Sequence, residues 1–119
     1  LPNIIVTAPK DGNELLDLLY TATKTRKPFA IRYPKDSAGN YNAEKTPQLL
    51  DLGSWEYIYK NNSEIVILAV GSMVKRCSNI LDQLNKNLGV NITLVNARFI
   101  KPLDRTMLNT RNQLTQAKK

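Results

Sequence analysis

Two stretches of the sequence each combine an apolar strand pattern, an amphipathic helix pattern and a second apolar strand pattern, and this order constrains the fold more than any other feature. In the first stretch, the run Asn3–Thr7 centres on β-branched apolar residues, which is typical of a strand buried on both faces of a parallel sheet. Asp11 and, three positions later, Glu14 predict a capping box at a helix N-terminus. A second strand pattern follows at Phe29–Tyr33, so the first stretch predicts a βαβ unit.

The second stretch has the same plan. Its strand patterns occupy Trp55–Tyr59, Glu64–Val70 and Asn91–Asn96. Before the last strand, apolar residues recur at the spacing of one helix face. These residues are Met73, Cys77, Ile80, Leu81, Leu84 and Leu88. Pro102 and Asp104 are residue types that favour the first turn of a helix, and they predict a further helix after the last strand.

Residues 36–52 separate the two stretches. They are rich in turn-forming residues, and Pro47 interrupts their later part, which is typical of a linker or a surface crossing. We therefore predict one unit over residues 1–35, a linker over residues 36–52 and a second unit over residues 53–119. The predicted fold class is α/β, built from parallel-sheet βαβ units in a three-layer α/β/α arrangement.

The predicted fold is incomplete, because neither unit contains the roughly four to six strands of a typical sheet. A two-stranded parallel sheet with one helix leaves a face uncovered, so the missing neighbours must come from a longer chain or from partner chains. The opening Leu1-Pro2-Asn3 is neither an initiator methionine nor a signal peptide. We expect the chain to be an internal fragment of a larger α/β enzyme.

The composition excludes several function classes for this chain acting alone. It contains no histidine, which excludes Ser-His-Asp and Cys-His catalysis and any histidine-ligated metal site. Its single cysteine, Cys77, excludes an intrachain disulfide and is expected to be a small buried hydrophobic residue. The net charge of +7 is carried by scattered lysines and arginines. No basic stripe is interleaved with aromatic residues, as single-strand binding requires, so no nucleic-acid partner is expected. No apolar run approaches the roughly 20 residues of a membrane span, so we expect no membrane association and a cytoplasmic location, or a plastid-type organelle in a eukaryotic source.

Candidate chemistry lies at strand ends, where open α/β sheets bind ligands. Gly71-Ser72 follows a strand pattern and precedes a helix, where backbone N–H groups can bind phosphate. The sequence has neither G-x-G-x-x-G nor a P-loop, so a tight turn is favoured there. The segment Arg32–Lys35 places two cations and a phenol at a strand end, which fits a phosphate or carboxylate and equally fits a solvated strand end. Arg98 and Lys101 flank another strand end and are expected to be structural.

Five segments resemble the 1-deoxy-D-xylulose-5-phosphate synthase family of transketolase-like enzymes, in the order and at the spacing of that family. They are Pro2–Leu15, Leu19–Ala22, Phe29–Pro34, Ile67–Val74 and Val95–Asp104. Transketolases and the β subunits of 2-oxo-acid dehydrogenases share the architecture. The segment Arg32–Pro34 and the run Asn96–Asp104 are most similar to the synthases.

The resemblance implies an activity for a complete parent enzyme. Such enzymes use thiamine diphosphate and Mg²⁺ to decarboxylate pyruvate and to add the two-carbon unit to glyceraldehyde 3-phosphate, for isoprenoid precursor synthesis. Residues 1–35 would end the pyrimidine-binding domain, and residues 53–119 would form the first half of a transketolase C-terminal-type domain. The catalytic and cofactor-binding motifs are expected upstream, so this chain alone should be inactive and should bind no cofactor or metal. The implied partners are the rest of the parent chain, a second copy in a homodimer and a phosphorylated small-molecule substrate.

One binding residue follows from the resemblance. The family has an arginine that contacts the acceptor's phosphate at the position of Lys35, and a glycine where this chain has Asp36. Lysine keeps the charge but lacks the bidentate fork of arginine, and Asp36 adds a nearby negative charge. Lys35 is therefore predicted to bind substrate phosphate more weakly than arginine. The alternative function is a free-standing α/β interaction or dimerisation module without catalysis.

Overall fold

The structure, a computed structural model, describes residues 3–34 and 41–110 of the chain. Its helices and strands are β1 (Ile5–Thr7), α1 (Gly12–Lys24), β2 (Phe29–Ile31), β3 (Glu56–Tyr59), β4 (Val66–Ala69), α2 (Met73–Leu88), β5 (Thr93–Asn96) and β6 (Phe99–Lys101). Residues 105–110 are also helical. In the part of the chain that the structure describes, no helix combines the length and the apolar character needed to cross a membrane.

Helix α1 begins as the sequence predicts. The Asp11 Oδ1 accepts a hydrogen bond from the Glu14 backbone N–H at 2.9 Å. The Glu14 Oε1 accepts one from the Lys10 backbone N–H at 3.0 Å, one residue before the position that a capping box normally uses. The Asp11 carboxylate thus satisfies one of the N–H groups that the start of a helix leaves without a partner.

The strands form two mixed, three-stranded sheets with the orders β2-β1-β6 and β3-β5-β4. Each sheet contains the parallel pair of a βαβ unit, β1 with β2 and β4 with β5. The third strand of each sheet is antiparallel, β6 on β1 and β3 on β5. The sequence pattern does not predict β6, because the three residues Phe99–Lys101 are too few to show a strand period.

Strand β6 joins the two units into one core. It follows β5 of the second sheet along the chain but pairs with β1 of the first sheet, where Phe99 lies opposite Thr7. The ring of Phe99 is fully buried and packs on residues from both sides of the 36–52 segment. The buried residues of this cluster are Ile5, Leu18, Trp55, Val95, Ala97 and Phe99. The two predicted units therefore share their main hydrophobic cluster.

The buried face of α2 differs from the predicted one. The α2 side chains that pack on the second sheet are Val74, Cys77, Leu81 and Leu84. Met73, Ile80 and Leu88, which the sequence pattern assigns to the same face, are exposed. Both sets have helical spacing, and the two stripes lie side by side on α2. Periodicity alone does not determine which stripe meets the sheet.

Part of the predicted linker, residues 41–52, runs along α1 and is held by its polar side chains. Three acceptors lie one helical turn apart on α1: Asn13, Asp17 and Thr21. In the same order they accept the backbone N–H groups of Asn42, Gln48 and Leu50 at 2.8, 2.9 and 3.0 Å. One face of α1 therefore binds the backbone of this segment at three successive points.

Candidate functional site

The carboxyl-terminal ends of the two parallel pairs lie close together, which is where open α/β sheets bind ligands. Gly71 follows β4, and a Cβ atom at this glycine would lie 3.9 Å from the Ala8 Cβ and 3.7 Å from the Pro9 carbonyl oxygen. Ala8 and Pro9 follow β1 directly. Asn96, the last residue of β5, donates to Glu14 of α1. The ends of β1, β4 and β5 therefore converge on one junction.

A buried carboxylate, that of Glu14, lies at the centre of this junction. The residue is only 4% exposed. The Asn96 Nδ2 donates to both of its carboxylate oxygens at 2.9 Å, and the Arg98 Nη1 lies 3.4 Å from Oε2. Burying an ionised carboxylate costs on the order of several kcal/mol. The amide and guanidinium donors offset that cost, so the three side chains depend on one another.

Arg98 connects the junction to the segment that precedes β3. Its Nε donates to the Ser54 carbonyl at 2.8 Å, and its Nη2 donates to the Ser54 Oγ at 3.0 Å. Its backbone carbonyl accepts from the Ala8 N–H at 2.9 Å. Arg98 thus bonds to segments on both sides of residues 36–52, which is the structural role that the sequence predicts for it.

A second ion pair lies beside the first. The Lys10 Nζ donates to the Glu56 Oε1, and the Asn96 Nδ2 lies 3.4 Å from the same oxygen. Burial raises the pKa of Glu56, but the hydrogen bond and charge of Lys10, the hydrogen bond from Asn96 and the charge of Arg98 outweigh it and hold this pKa below 4.5, its ordinary value. We call these five side chains the junction cluster: Lys10, Glu14, Glu56, Asn96 and Arg98.

Replacing Lys10 with methionine is expected to destabilise the fold at neutral pH by an amount that shrinks in acid. The folded-state pKa of Glu56 lies below 4.5, so the ionised pair stabilises the fold above about pH 4.5, and this contribution is lost as the pH falls through the lower folded-state pKa. Urea midpoints of wild type and variant at about pH 7 and about pH 3 measure the effect. Lys86→Met removes an exposed ion pair with Asp82 and should differ little from wild type at either pH. A Lys10→Met deficit that is equal at both pH values would contradict the role of this pair.

The predicted substrate-binding residue, Lys35, lies outside the described residues. The strand end that precedes it is described. Arg32 donates its backbone N–H to the Thr7 carbonyl at 2.8 Å, which extends the pairing of β2 with β1. The Arg32 and Tyr33 side chains are exposed. Lys101, the other cation expected near a strand end, is the last residue of β6. The described strand end therefore presents polar side chains to solvent.

The Gly71-Ser72 segment forms a tight strand-to-helix turn. The backbone N–H groups of Met73 and Val74 donate to the carbonyls of Val70 and Gly71 at 3.3 and 3.1 Å. The Ser72 side chain caps no N–H group of α2. Gly71 has a φ of 61°, a conformation that favours glycine. These contacts favour the turn over a phosphate site, because they occupy N–H groups that a phosphate would need.

Cys77 has a free thiol and is half-buried. It packs with the apolar residues between α2 and the second sheet, as expected for a small hydrophobic residue. Within residues 3–34 and 41–110, no three His, Cys, Asp or Glu side chains are grouped so that they could hold a metal ion.

Sequence reasoning missed the junction cluster. Glu14 and Asn96 are separated by 82 positions, and no spacing rule connects residues so far apart. The one available signal is Glu14, whose place in a capping box already explains its presence at a helix start. That local explanation conceals the second role, in which the same carboxylate accepts hydrogen bonds from the other half of the chain.

Comparisons of the sequence with known proteins give matches to one protein family and to several enzymes of one kind. The family described as "Transketolase, C-terminal domain" matches residues 53–116. Two proteins named 1-deoxy-D-xylulose-5-phosphate synthase, from Aquifex aeolicus (strain VF5) and Syntrophus aciditrophicus (strain SB), are 43% and 44% identical to this chain over 108 residues, or 91% of it. The chain spans 17% and 16% of the lengths of these two relatives.

The fold has a close counterpart among solved structures. One that is described as "Split gene transketolase, inactive beta4 tetramer" superimposes with a TM-score of 0.81 at 21% identity, over 96% of this chain and 37% of that one. This likeness confirms the predicted transketolase-like, three-layer α/β class, and the synthase matches confirm the resemblance seen in the five segments. The family match covers more than half of the residues of this chain, and the chain therefore belongs to the transketolase C-terminal domain family.

Proposed function

We propose that this chain is part of a thiamine-diphosphate-dependent transferase that converts pyruvate and glyceraldehyde 3-phosphate to 1-deoxy-D-xylulose 5-phosphate and CO2. The observation that carries the proposal is the 43% identity with the Aquifex aeolicus synthase over 91% of the chain. In this proposal, residues 1–35 end the pyrimidine-binding domain, residues 36–52 are the linker and residues 53–119 are the first half of the C-terminal-type domain.

The described residues would act in this enzyme as a scaffold. Thiamine diphosphate supplies the carbanion chemistry when it is bound, while the protein positions the reactants and holds their charges. The described carboxylates form no group that fits Mg²⁺, which prefers several oxygen ligands. The proposal therefore places the cofactor and its ion on other segments of the parent enzyme. This chain contributes the converging strand ends and a phosphate contact.

Lys35 is the proposed contact to the phosphate of glyceraldehyde 3-phosphate. It follows the carboxyl-terminal end of β2 in the sequence, the end at which parallel strands bind ligands. A lysine there offers a charge-assisted hydrogen bond. Asp36 and the absence of a guanidinium fork make this contact weaker than one from arginine.

Lys35→Ala in the complete enzyme is expected to raise the KM for glyceraldehyde 3-phosphate about tenfold or more, because a hydrogen bond to a charged group contributes roughly 1.5–3 kcal/mol. The KM for pyruvate, which carries no phosphate, should change little. Steady-state kinetics with each substrate varied in turn measure both values. Lys35→Arg is the matched control and should lower the KM for the phosphorylated substrate. An equal rise in both KM values would refute the assignment of Lys35.

The proposal also includes a homodimer of the parent enzyme. A free-standing dimerisation module without catalysis would form a dimer too, so it is the rival function. Release of CO2 from pyruvate by the complete polypeptide, dependent on glyceraldehyde 3-phosphate, separates the two. Activity supports the transferase. A folded dimer of the complete polypeptide that releases no CO2 with the cofactor and Mg²⁺ present would support the module.

A further inference from the structure

The amide of Asn96 lies between two carboxylates in the junction cluster. Its Nδ2 donates to both oxygens of Glu14 and lies 3.4 Å from an oxygen of Glu56. Asn96 is fully buried, and among the described residues its Oδ1 accepts no hydrogen bond. A reversed amide would place that oxygen against the two carboxylates. The arrangement therefore requires a neutral donor at this position, facing the carboxylates.

The junction cluster is connected to the end of β2 by short hydrogen bonds through the end of β1. The Arg98 carbonyl accepts from the Ala8 N–H at 2.9 Å, and the Thr7 carbonyl accepts from the Arg32 N–H at 2.8 Å. The Thr7 Oγ1 donates to the Ala30 carbonyl at 3.0 Å. A displacement of the junction cluster would therefore shift the end of β1 and, through it, the end of β2.

We infer that Asn96 is a positioning residue, whose amide fixes the ends of β1 and β2 against the second sheet. Its uncharged amide donates to Glu14 and Glu56. The positive charges beside these two carboxylates are those of Arg98 and Lys10. The positioning itself follows from contacts among described residues. Its consequence for binding of the phosphorylated acceptor at the β2 end rests on the proposed function.

The closest test of this role is Asn96→Asp, because aspartate has the same shape and exchanges the donor for a third carboxylate. In the complete enzyme at neutral pH, hydrogen–deuterium exchange of the Ala8 and Arg32 amides should accelerate about tenfold or more relative to wild type, since like charges within a few ångströms repel. The Thr93 amide, which donates to the Ile65 carbonyl at the other end of β5, should keep its rate. At about pH 5 the excess of the variant's exchange rates over those of wild type should become smaller. An aspartate beside two carboxylates has a raised pKa, and its protonated form donates a hydrogen bond.

Asn96→Ala is the second variant, and it removes the donor without adding a charge. The same two amides should exchange faster in this variant, but the excess over wild type should not narrow in acid as it does for aspartate. Asp82→Asn is the matched control, since it removes one carboxylate from an exposed ion pair of α2. This control should leave the exchange of all three amides unchanged. Two results would overturn the inference. In one, the Thr93 amide accelerates as much as the Ala8 and Arg32 amides in both Asn96 variants. In the other, the Ala8 and Arg32 amides accelerate in neither variant.

The kinetic arm separates this inference from the proposed function. In a folded Asn96 variant, the KM for glyceraldehyde 3-phosphate should rise about tenfold while the KM for pyruvate stays near wild type, as small displacements of binding groups produce. If Lys35→Ala leaves both KM values unchanged while the exchange results are as expected, the phosphate assignment is wrong and the positioning stands. If Lys35→Ala behaves as expected and neither Asn96 variant affects exchange or KM, the positioning role is wrong and the proposed function stands.

Discussion

Replacing Phe99 with alanine is expected to lower the free energy of unfolding by about 3–5 kcal/mol, the range found for truncating a buried aromatic side chain. The Phe99 side chain is fully buried, and its ring lies edge to face with that of Phe29 at a centroid distance of 6.5 Å. The truncation leaves a cavity where β6 meets the first sheet. Packing is then lost in both predicted units, because this cluster belongs to both.

Urea unfolding measures the Phe99→Ala effect, and tryptophan fluorescence reports on the same cluster. The chain has one tryptophan, Trp55, whose Nε1 donates to the Phe99 carbonyl at 2.8 Å. Phe99→Leu is the control, since it keeps a large apolar side chain and should lose less than half as much stability. A loss below about 1 kcal/mol for Phe99→Ala, the size of an average point substitution, would contradict the shared core.

Asp104→Ala is expected to destabilise the fold by about 2–4 kcal/mol, because one carboxylate stabilises two separate segments. Its Oδ1 accepts from the Met107 N–H at 2.9 Å and so caps the helical residues 105–110. Its Oδ2 accepts from the Trp55 N–H at 2.9 Å. Losing a cap costs about 1 kcal/mol, and leaving a buried N–H without a partner costs about 1–3 kcal/mol.

The graded control for this prediction is Asp104→Asn. Asparagine retains one acceptor oxygen, so it can keep the cap or the bond to Trp55, but not both. Its loss should fall between those of wild type and Asp104→Ala in urea unfolding. A second control, Asp82→Asn on the exposed face of α2, should stay within about 0.5 kcal/mol of wild type. Equal losses for alanine and asparagine at position 104 would contradict this prediction, because the one acceptor that asparagine retains would then preserve neither bond.

The parts of the fold that local chemistry determines could be predicted from the sequence. Asp11 marks the start of α1, because its carboxylate serves a backbone N–H three residues later, a relation that is visible in the sequence. Strands β4 and β5 are also visible in the sequence, since a short run of apolar and β-branched residues favours a strand, although only β5 is buried along its whole length. The antiparallel pairing of β6 with β1 is not visible, because it depends on where the chain goes after β5 and on a partner far away in sequence.

The same distinction applies to the candidate site. The strand end at Arg32 is predictable, because a polar segment directly follows an apolar strand. The bonds that join Glu14 to Asn96 are not, because they form only after both sheets are in place. Asparagine at the end of a strand is also compatible with an ordinary turn. Its donation to two carboxylates appears only when the neighbours in space are known.

Strand β6 has a consequence for how such a chain acquires its structure. A cut within residues 36–52 would divide the sequence but would not yield two complete sheets. The first piece would keep β1 with an open edge, and the second would carry β6 without the strand that it joins. Unpaired strand edges are templates for pairing with other chains and promote aggregation. Both sheets therefore belong to one cooperatively folding unit, and neither half of the sequence is such a unit by itself.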